Sequence, residues 1–384
     1  MMSAVSDMSQ EKVVASSDES LKASAAKPRI LIAASSSGGH LIPAVHIAQA
    51  VQACAPGAVV EFIGVGKPLE DTLVVKKGFV RHIVSASGVK NRGPIGLLTA
   101  LIRMPFSFLT LRRLYRRFQP TAVVGVGGYV SVLPVITARM LGIPTWAHEA
   151  EKHPGLANRV LAYFSEHFSV AFEGTMLRGW SKVTVTGHPV RPELKKIDRE
   201  AIPREVPRRL LVIGGSQGAR GLDTVVPTLG ALFNERGIEV VHQSRPESVG
   251  EVTEAYKKVG VTAHVVPFIE DMLGAYEWCD VVISRAGASS VAELACVNRP
   301  TIFVPYPHQQ GTHQTDNARI LVKHEKAYLV EETDPDFPQR LKEALVELLT
   351  PTNFLRMKRA AYEPKGLGAA EAIAKGIISL SPKA

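Results

Sequence analysis

From Arg29 onward, short runs of apolar and β-branched residues alternate with longer stretches of helical periodicity. The apolar runs are continuous, which is typical of strands that are buried on both faces. Helices covering both faces of a parallel sheet produce this pattern, so the sequence predicts an α/β fold. The predicted strands are ILIAA, VVEFIGV, RHIVSA, AVVGVG, PTWAHEA and HFSVAF, then RLLVIGG, IEVVHQS, AHVVPFI, DVVISRAG, PTIFVPY and AYLVEE.

The alternation stops in a segment rich in proline and charge, VTVTGHPVRPELKKIDREAIPREVPRR, and then begins again. We interpret this segment as a linker and the approach to a second domain. The sequence therefore predicts two Rossmann-like domains of similar size. The expected boundaries are a disordered tail at 1–28, a first domain at 29–190 completed by a C-terminal helix at 365–384, and a second domain at 191–364.

Each predicted domain opens with a strand, a glycine and serine cluster, and an amphipathic stretch: SSSGGH in the first and GGSQGAR in the second. Glycine at such a turn allows close backbone approach, and the start of the following helix favours an anion. A tight turn without a ligand is the alternative. Neither loop matches the P-loop or dinucleotide fingerprints. The pair therefore favours a phosphorylated ligand in a cleft between the domains over a nicotinamide cofactor.

The net charge of +9 and a pI near 9.4 indicate an anionic partner. Zinc-finger spacing and aromatic RNA-binding signatures are missing from the sequence, which argues against nucleic acid. The three cysteines are scattered, as expected in a reducing compartment. The first 28 residues lack the apolar segment of an export signal, and no apolar run reaches membrane-spanning length. These features predict a cytoplasmic protein.

Two polar clusters follow predicted strands of the second domain. ISRAGASSVAELA places small residues and Glu293 at a strand–helix junction, where a diphosphate and ribose hydroxyls can bind. PYPHQQGTHQTDNA supplies amides that suit sugar hydroxyls, together with His308, His313 and Asp316. A solvated helix face and a polar loop without function are the respective alternatives.

Nine motifs carry a specific resemblance: SSSGGHLIPA, GVGGYVS, GIPTWAHEAEKHPGLANR, TGHPVR, GGSQGAR, HQS, FIEDM, SRAGASSVAEL and FVPYPH…HQTDNA. In this order and spacing the chain resembles the MurG family from Arg29 to its C-terminus. These glycosyltransferases attach N-acetylglucosamine (GlcNAc) to undecaprenyl-diphosphate-linked muramyl-pentapeptide. The resemblance implies a GT-B fold, with the lipid acceptor on the first domain, UDP-GlcNAc on the second, and a last helix that packs back on the first domain.

The resemblance also implies site residues. For the donor, Ser216 contacts phosphate, Arg191 lies beside the nucleotide, Phe268 and Ile269 meet the uracil, Glu293 binds ribose, and Gln314 and Asn317 bind the sugar. The remaining donor residues are expected to be Arg285, Ala288, Ser289, Ser290, Val291 and Ala292. In the first domain, Ser37, Gly38 and Gly39 are expected to receive the diphosphate. Other polar cleft positions are Tyr129, His148, Glu149 and Asn158.

His40 follows the glycine pair, where the family carries its candidate general base. Transfer from an α-linked donor to a β-linkage requires one inverting displacement, and an imidazole suits removal of the acceptor's hydroxyl proton. A role in shaping the loop is the alternative for His40. No Asp-x-Asp pattern stands in position for a metal, so we expect a metal-free reaction without a cofactor.

Two departures from the family concern the acceptor side. Ser35, Ser36 and Ser37 stand where Gly-Gly-Thr is usual, and a serine costs about 1 kcal/mol if the position requires a positive φ. Ala150 and Glu151 replace Gln-Asn, and a carboxylate there is expected to repel a diphosphate or to change the muramyl group recognised.

The segment IGLLTALIRMPFSFLTLRRLYRRF is apolar at one end and arginine-rich at the other. With Lys90 and Arg92, it predicts contact with an anionic membrane surface, and a helix that merely covers the sheet is the alternative. The expected location is peripheral, on the cytoplasmic face of the inner membrane, with membrane-bound enzymes of cell-wall synthesis among the candidate partners. A transferase with another lipid acceptor, a UDP-GlcNAc epimerase and a non-catalytic nucleotide-sugar-binding protein remain alternative functions.

Overall fold

The computed structural model describes residues 27–84, 93–201, 204–215, 218–307 and 313–380, with backbone only at 93–104. Two separate parallel sheets organise this part of the chain. The prediction of an α/β fold with two Rossmann-like parallel sheets is therefore confirmed.

The first sheet has seven strands in the order β3-β2-β1-β4-β5-β6-β7. Its five inner strands are largely buried on both faces, as continuous apolar runs predict, and helices cover them, whereas its two edge strands are partly or largely exposed. The strands are β1 (Arg29–Ala33), β2 (Val59–Gly64), β3 (Val80–Ile83), β4 (Ala122–Gly125), β5 (Thr145–Glu149), β6 (His167–Val170) and β7 (Lys182–Val185). The helices are α1 (Gly38–Cys54), α2 (Pro68–Leu73), α3 (Gly93–Phe118), α4 (Tyr129–Met140) and α5 (Leu156–Leu161).

The seventh strand corrects the sequence analysis. Residues 183–185 were expected to lie at the start of the linker, yet they belong to β7, which pairs in parallel with β6, Val183 opposite Phe168. The strand forms one edge of the sheet and its side chains are largely exposed. Because it lacks a buried apolar run, the pattern that identified the other strands did not identify this one.

The second sheet has six strands in the order β10-β9-β8-β11-β12-β13. They are β8 (Arg209–Ile213), β9 (Glu239–Gln243), β10 (Ala263–Val266), β11 (Val281–Ser284), β12 (Thr301–Phe303) and β13 (Ala327–Leu329). The helices are α6 (Arg220–Val225), α7 (Gly230–Arg236), α8 (Val249–Lys258), α9 (Met272–Trp278), α10 (Ala288–Val297), α11 (His313–Val322), α12 (Phe337–Leu348) and α13 (Pro351–Arg359). Short 3-10 helices stand at Val75–Lys77, Pro192–Lys196, Val226–Leu229 and Pro246–Ser248.

The last helix, α14 (Gly366–Leu380), packs against the first sheet's side of the molecule. Ile373 and Ile377 of α14 lie in the same buried apolar cluster as Ile47 of α1. A Cβ at Gly376 would lie 2.4 Å from Cη2 of Trp146, so the helix approaches that indole closely. The chain thus crosses twice from one domain to the other, once after β7 and once before α14.

The two crossings lie against each other. Gly187, in the first crossing, has a φ of +89°, and a Cβ there would lie 2.7 Å from the backbone carbon of Lys365 in the second. Glycine is needed at 187 both for the left-handed backbone and for this close approach.

Candidate functional site between the two sheets

Each sheet reverses its strand order between two neighbouring strands, β1 and β4 in the first and β8 and β11 in the second. In open parallel sheets the crevice at such a point, beyond the carboxyl ends of the strands, is the usual ligand site. Both glycine and serine loops leave their sheet at this point. The fold therefore brings two candidate ligand crevices into one molecule.

His40 stands in the first turn of α1, at the first of these crevices. Its Nδ1 lies 2.7 Å from the Oγ of Ser37, so this hydroxyl fixes one ring nitrogen by a hydrogen bond. A Cβ at Gly127 would lie 2.4 Å from Cδ2 of His40, so the ring rests on the loop that follows β4. Two loops from neighbouring strands thus hold the imidazole in place.

The loop after β4 depends on its glycines. Gly127 and Gly128 have φ values of +76° and +73°, where a side chain is strained. A Cβ at Gly128 would lie 2.2 Å from the Cβ of Ser35. The GVGGYVS motif therefore makes room for both His40 and Ser35, and it leads into Tyr129, which is 40% exposed at the start of α4.

Burial lowers the pKa of His40 to about 4. The ring is therefore neutral at pH 7 and can accept a proton. Burial also lowers the pKa of His148 to about 3, with a further lowering by the neighbouring His40. Both imidazoles are uncharged in the free protein, and a bound diphosphate would favour their protonated forms.

Glu149, at the end of β5, shapes the loop that follows it. Its carboxylate accepts hydrogen bonds from the backbone nitrogens of Glu151 (2.9 Å) and Gly155 (3.1 Å), and from Nδ2 of Asn158 (2.9 Å). Burial nevertheless raises its pKa to about 7. Asn158 also donates to the carbonyl of His148 at 3.1 Å. These predicted cleft residues are brought together, and their contacts order residues 148–158.

The three serines that replace family residues carry no backbone strain. Non-glycine residues with positive φ in the described ranges are Gln119, Asn298 and Glu325. The serine hydroxyls instead tie the loop down: Ser36 donates to Glu70, which is buried and also accepts from the backbone nitrogens of Val65 and Gly66. The expected cost of a left-handed serine is therefore not incurred.

On the second sheet, Ala288, Ser289, Ser290, Val291, Ala292 and Glu293 form the first turns of α10. Glu293 is 5% exposed and accepts from Nε of Arg191 at 2.9 Å and from the hydroxyl of Tyr276 at 3.0 Å. This arrangement holds the carboxylate at the helix start and brings Arg191 beside it. Tyr276 was not anticipated from the sequence, since an aromatic on an amphipathic stretch normally indicates core.

Arg285 is buried after β11, where its guanidinium holds the loop after β12. It donates to the carbonyls of Val304 (3.1 Å) and Pro305 (2.9 Å), and it forms an ion pair with Glu332 at 2.5 Å. These contacts occupy the side chain in the free molecule. Its predicted role toward a leaving phosphate remains a prediction.

The other donor-side residues lie at the same edge of the sheet. Phe268, just beyond β10, is 64% exposed, so its ring face is accessible to a flat ligand, while Ile269 packs against buried apolar residues. Gln314, at the start of α11, accepts from the backbone nitrogen of Tyr306 at 2.9 Å. Ser216 and His308 lie outside the described residues, as do Lys90 and Arg92.

Contacts between the two halves close one side of the crevices. Nε2 of His188 lies 2.9 Å from the Oγ of Ser289. Ala150 packs with Ala288 and Ile320 in a small apolar cluster, and Glu151 accepts from Nδ2 of Asn317 at 2.5 Å. The two residues that depart from the family pattern on the acceptor side therefore both contact the second domain.

His188 and Glu70 were not singled out from the sequence. His188 is 2% exposed, and burial holds its pKa well below the ordinary value. It stands in the TGHPVR motif, directly after Gly187. A histidine next to a glycine in this motif was the signal that could have identified it. Glu70 had none, because two of its partners are backbone nitrogens and Ser36 meets it only in the folded chain.

Among the described residues, no group of three or more histidines, cysteines or carboxylates is arranged to hold a metal ion. Nor does any described helix have the length and apolar character that a membrane crossing needs.

Comparison with known proteins identifies the family. Residues 30–168 match the glycosyltransferase family 28 N-terminal domain, and residues 209–375 match the family 28 C-terminal domain. A transferase of Pseudomonas putida (strain W619) is 37% identical over 333 residues, covering 86% of this chain and 92% of the relative. It is named UDP-N-acetylglucosamine–N-acetylmuramyl-(pentapeptide) pyrophosphoryl-undecaprenol N-acetylglucosamine transferase. A relative from Xylella fastidiosa (strain Temecula1) with the same name is 35% identical and covers 92% of this chain and 97% of its own length.

Solved structures agree with this family and its fold. MurG of Acinetobacter baumannii superposes with a TM-score of 0.74 and 27% identity, covering 92% of this chain and 99% of that one. A UDP-GlcNAc 2-epimerase from Neisseria meningitidis shares the fold, with a TM-score of 0.63 at 13% identity over 92% of this chain and the whole of its own. The chain has the GT-B fold, and it belongs to the MurG family of N-acetylglucosamine transferases.

Proposed function

We propose that this protein transfers GlcNAc from UDP-GlcNAc to the 4-hydroxyl of undecaprenyl-diphosphoryl-N-acetylmuramyl-pentapeptide, with inversion at the anomeric carbon. The observation that carries the proposal is His40, a neutral imidazole fixed by Ser37 and resting on Gly127 at the first crevice. The helix that carries His40, α1, contacts α10 of the second domain, in a chain 37% identical to a transferase named for this reaction.

In this reaction His40 is the general base. When its Nδ1–H donates to the Ser37 hydroxyl, Nε2 carries the lone pair that removes the acceptor's proton. The freed oxygen attacks the anomeric carbon of GlcNAc from the face opposite UDP. The bond between that carbon and the phosphate oxygen breaks, and UDP leaves with the electron pair. Acceptor diphosphate beside the loop raises the basicity of the ring, since a nearby negative charge stabilises imidazolium.

The second sheet stabilises the leaving group. The N-terminus of α10 offers free backbone N–H groups and a partial positive charge to the departing diphosphate. We assign Glu293, which Arg191 and Tyr276 hold in place, to the ribose hydroxyls of the donor. Phe268 offers an exposed ring face to the uracil. No step requires a metal ion, because helix dipole and N–H groups meet the developing charge.

The deciding experiment is transfer of radiolabelled GlcNAc from UDP-GlcNAc to undecaprenyl-diphosphoryl-muramyl-pentapeptide in mixed micelles, with and without chelator. Labelled lipid in both conditions is the expected result. Donor binding without lipid product would contradict the proposed acceptor, and loss of product with chelator would contradict the metal-free mechanism. Turnover of UDP-GlcNAc to a free epimer would identify an epimerase instead.

We also propose that the protein works at the cytoplasmic face of the inner membrane, with α3 resting on the lipid. Phe106 is 70% and Leu109 45% exposed on this helix, whereas Leu111 and Tyr115 are buried against the sheet. Exposed arginines at 113, 116 and 117 lie toward its C-terminal end. An apolar outer face next to cationic side chains suits an anionic leaflet.

Liposome flotation tests this surface. The protein should float with vesicles containing anionic phospholipid, and much less with neutral vesicles or in high salt. Equal flotation with both vesicle types would argue against the basic surface, and Phe106→Ser should weaken flotation without changing UDP binding.

A further inference from the structure

Asn317, at the centre of the domain contact, has its side-chain amide almost fully used. Its Nδ2 donates to Oε2 of Glu151 at 2.5 Å and to the carbonyl of Ala286 at 3.3 Å. Its Oδ1 accepts from the backbone nitrogen of Lys152 at 3.3 Å. An amide nitrogen has two hydrogens, so both donors of Asn317 are taken.

The same contact covers Asn317 completely. The residue has 0% of its surface exposed, beneath the loop that follows β5. A side chain that no water can touch cannot touch a sugar hydroxyl either. If Asn317 binds the donor sugar, as the family resemblance implies, the loop at 150–153 must first move away from it.

Four contacts hold this loop on the second domain. The side chain of Glu151 and the backbone nitrogen of Lys152 both reach Asn317, Nε2 of His153 lies 2.9 Å from Oδ2 of Asp316, and Ala150 packs on Ala288. Of these, the Glu151 contact is the one in which a side chain occupies the amide nitrogen of a predicted sugar-binding group. It also depends on this chain's departure from the family, because position 151 is usually an asparagine. A carboxylate accepts a stronger hydrogen bond from an amide than a neutral group does.

We propose that Glu151 competes with the donor sugar for Asn317, so that binding of UDP-GlcNAc requires exchange of the Glu151 carboxylate for a sugar hydroxyl. Glu151 is thus a specificity-determining residue supplied by the acceptor domain, which lowers affinity for the sugar part of the donor and leaves the nucleotide part unaffected. The inference rests on the proposed use of a UDP-sugar, and it does not depend on which lipid accepts the sugar.

The distinction between sugar and nucleotide supplies the test. Calorimetric titration of the full-length chain with UDP-GlcNAc and with UDP should be done for the wild type, Glu151→Ala and Glu151→Asn. Removing a charged hydrogen-bond partner should raise the affinity for UDP-GlcNAc about tenfold in Glu151→Ala, and the affinity for UDP should stay unchanged. Glu151→Asn, which restores the family residue, should give a smaller rise.

His153→Ala is the matched control, because it removes another contact between the same loop and α11 without touching Asn317. It should leave the ratio of the two affinities at the wild-type value. Equal changes for both ligands in the Glu151 variants would mean that Glu151 only holds the domains together, and selective loss of UDP-GlcNAc affinity would mean that it binds the sugar. Either result overturns the proposal.

Asn317→Ala tests the premise that Asn317 binds the donor sugar. It should bring the affinity for UDP-GlcNAc closer to that for UDP, and an unchanged ratio would also overturn the proposal. No lipid acceptor is present in these titrations. A selective gain for UDP-GlcNAc in Glu151→Ala would therefore stand even if the transfer assay gave no lipid product, in which case only the acceptor assignment would fail.

Discussion

The loops after β1 and after β8 occupy equivalent places in their sheets, yet they are built from different material. In the first, side-chain hydrogen bonds hold the loop: Ser36 donates to Glu70, and Ser37 forms a hydrogen bond with His40. In the second, the described residues contribute glycine backbone. Gly215 and Gly218 have φ values of +83° and +69°, and the carbonyl of Gly215 accepts from Nε2 of Gln243 at 2.7 Å.

The difference indicates that the two loops, although they occupy equivalent places, divide the functions of the site between them. A loop that fixes an imidazole is suited to moving a proton, and glycine backbone at a strand–helix turn is suited to holding an anion. Substitutions in the first loop should therefore change turnover, and substitutions in the second should change donor affinity. Four variants test this division.

His40→Ala should have the largest effect, lowering kcat on the order of 10³-fold, because it removes the proposed base. Calorimetry should give wild-type affinity for UDP, since the ring contacts Ser37 and Gly127 of the first domain. Nearly full turnover with normal donor affinity would show that His40 only shapes the loop. Histidine NMR of the wild type, assigned with this variant, should show a neutral His40 ring from pH 8 down to pH 5, because burial holds its pKa near 4.

Gly127→Ala should lower kcat on the order of 100-fold, because the new Cβ would lie 2.4 Å from Cδ2 of His40 and displace the ring. Gly142→Ala is the matched control. Gly142 has a similar φ of +72°, but nothing lies within 4 Å of a Cβ there. Both variants should lose about 1 kcal/mol of unfolding free energy, and only Gly127→Ala should lose turnover. Equal kcat in the two would refute the role of this contact.

Gly218→Ala should weaken UDP binding about tenfold, with a smaller effect on kcat at saturating donor. A Cβ at this position would lie 2.6 Å from the backbone nitrogen of Arg245, so the second loop must shift. Gly260→Ala provides the comparison, since Gly260 has the same φ of +69° and only an ordinary contact with Asn234 at 3.6 Å. A selective kcat defect in Gly218→Ala would contradict the assignment of donor binding to the second loop.

Ser37→Ala should have the smallest effect, lowering kcat about fivefold through loss of one hydrogen bond to the ring. Donor affinity should not change. Ser37→Thr keeps the hydroxyl and should recover most of the turnover. If both variants were equally impaired, the hydroxyl would not be what orients His40.

The sequence was sufficient to predict the fold because strands buried on both faces leave continuous apolar runs. It placed every strand except β7, whose exposed edge position requires no such run. It also placed His40 at a strand–helix turn, since local sequence determines that turn. Its role, like those of the donor residues, stays a prediction.

What the sequence did not indicate depends on partners that are distant along the chain. Glu149 looked like a cleft carboxylate, but its position in space makes it an acceptor for two backbone nitrogens of its own loop. Glu151 was expected to repel a diphosphate or to change the muramyl group recognised, and its contact with Asn317, 166 positions further along the chain, was not foreseen. Pairings of this kind depend on how two domains dock, which no periodicity records.

The paired crossings at Gly187 and Lys365 have a mechanical consequence. The two chain segments that join the halves touch at one place. They allow the halves to rotate about an axis through that place, and they oppose both translation and free twisting. A chain cut within the first crossing would still hold together, because α14 remains clamped on the half to which it is not directly joined.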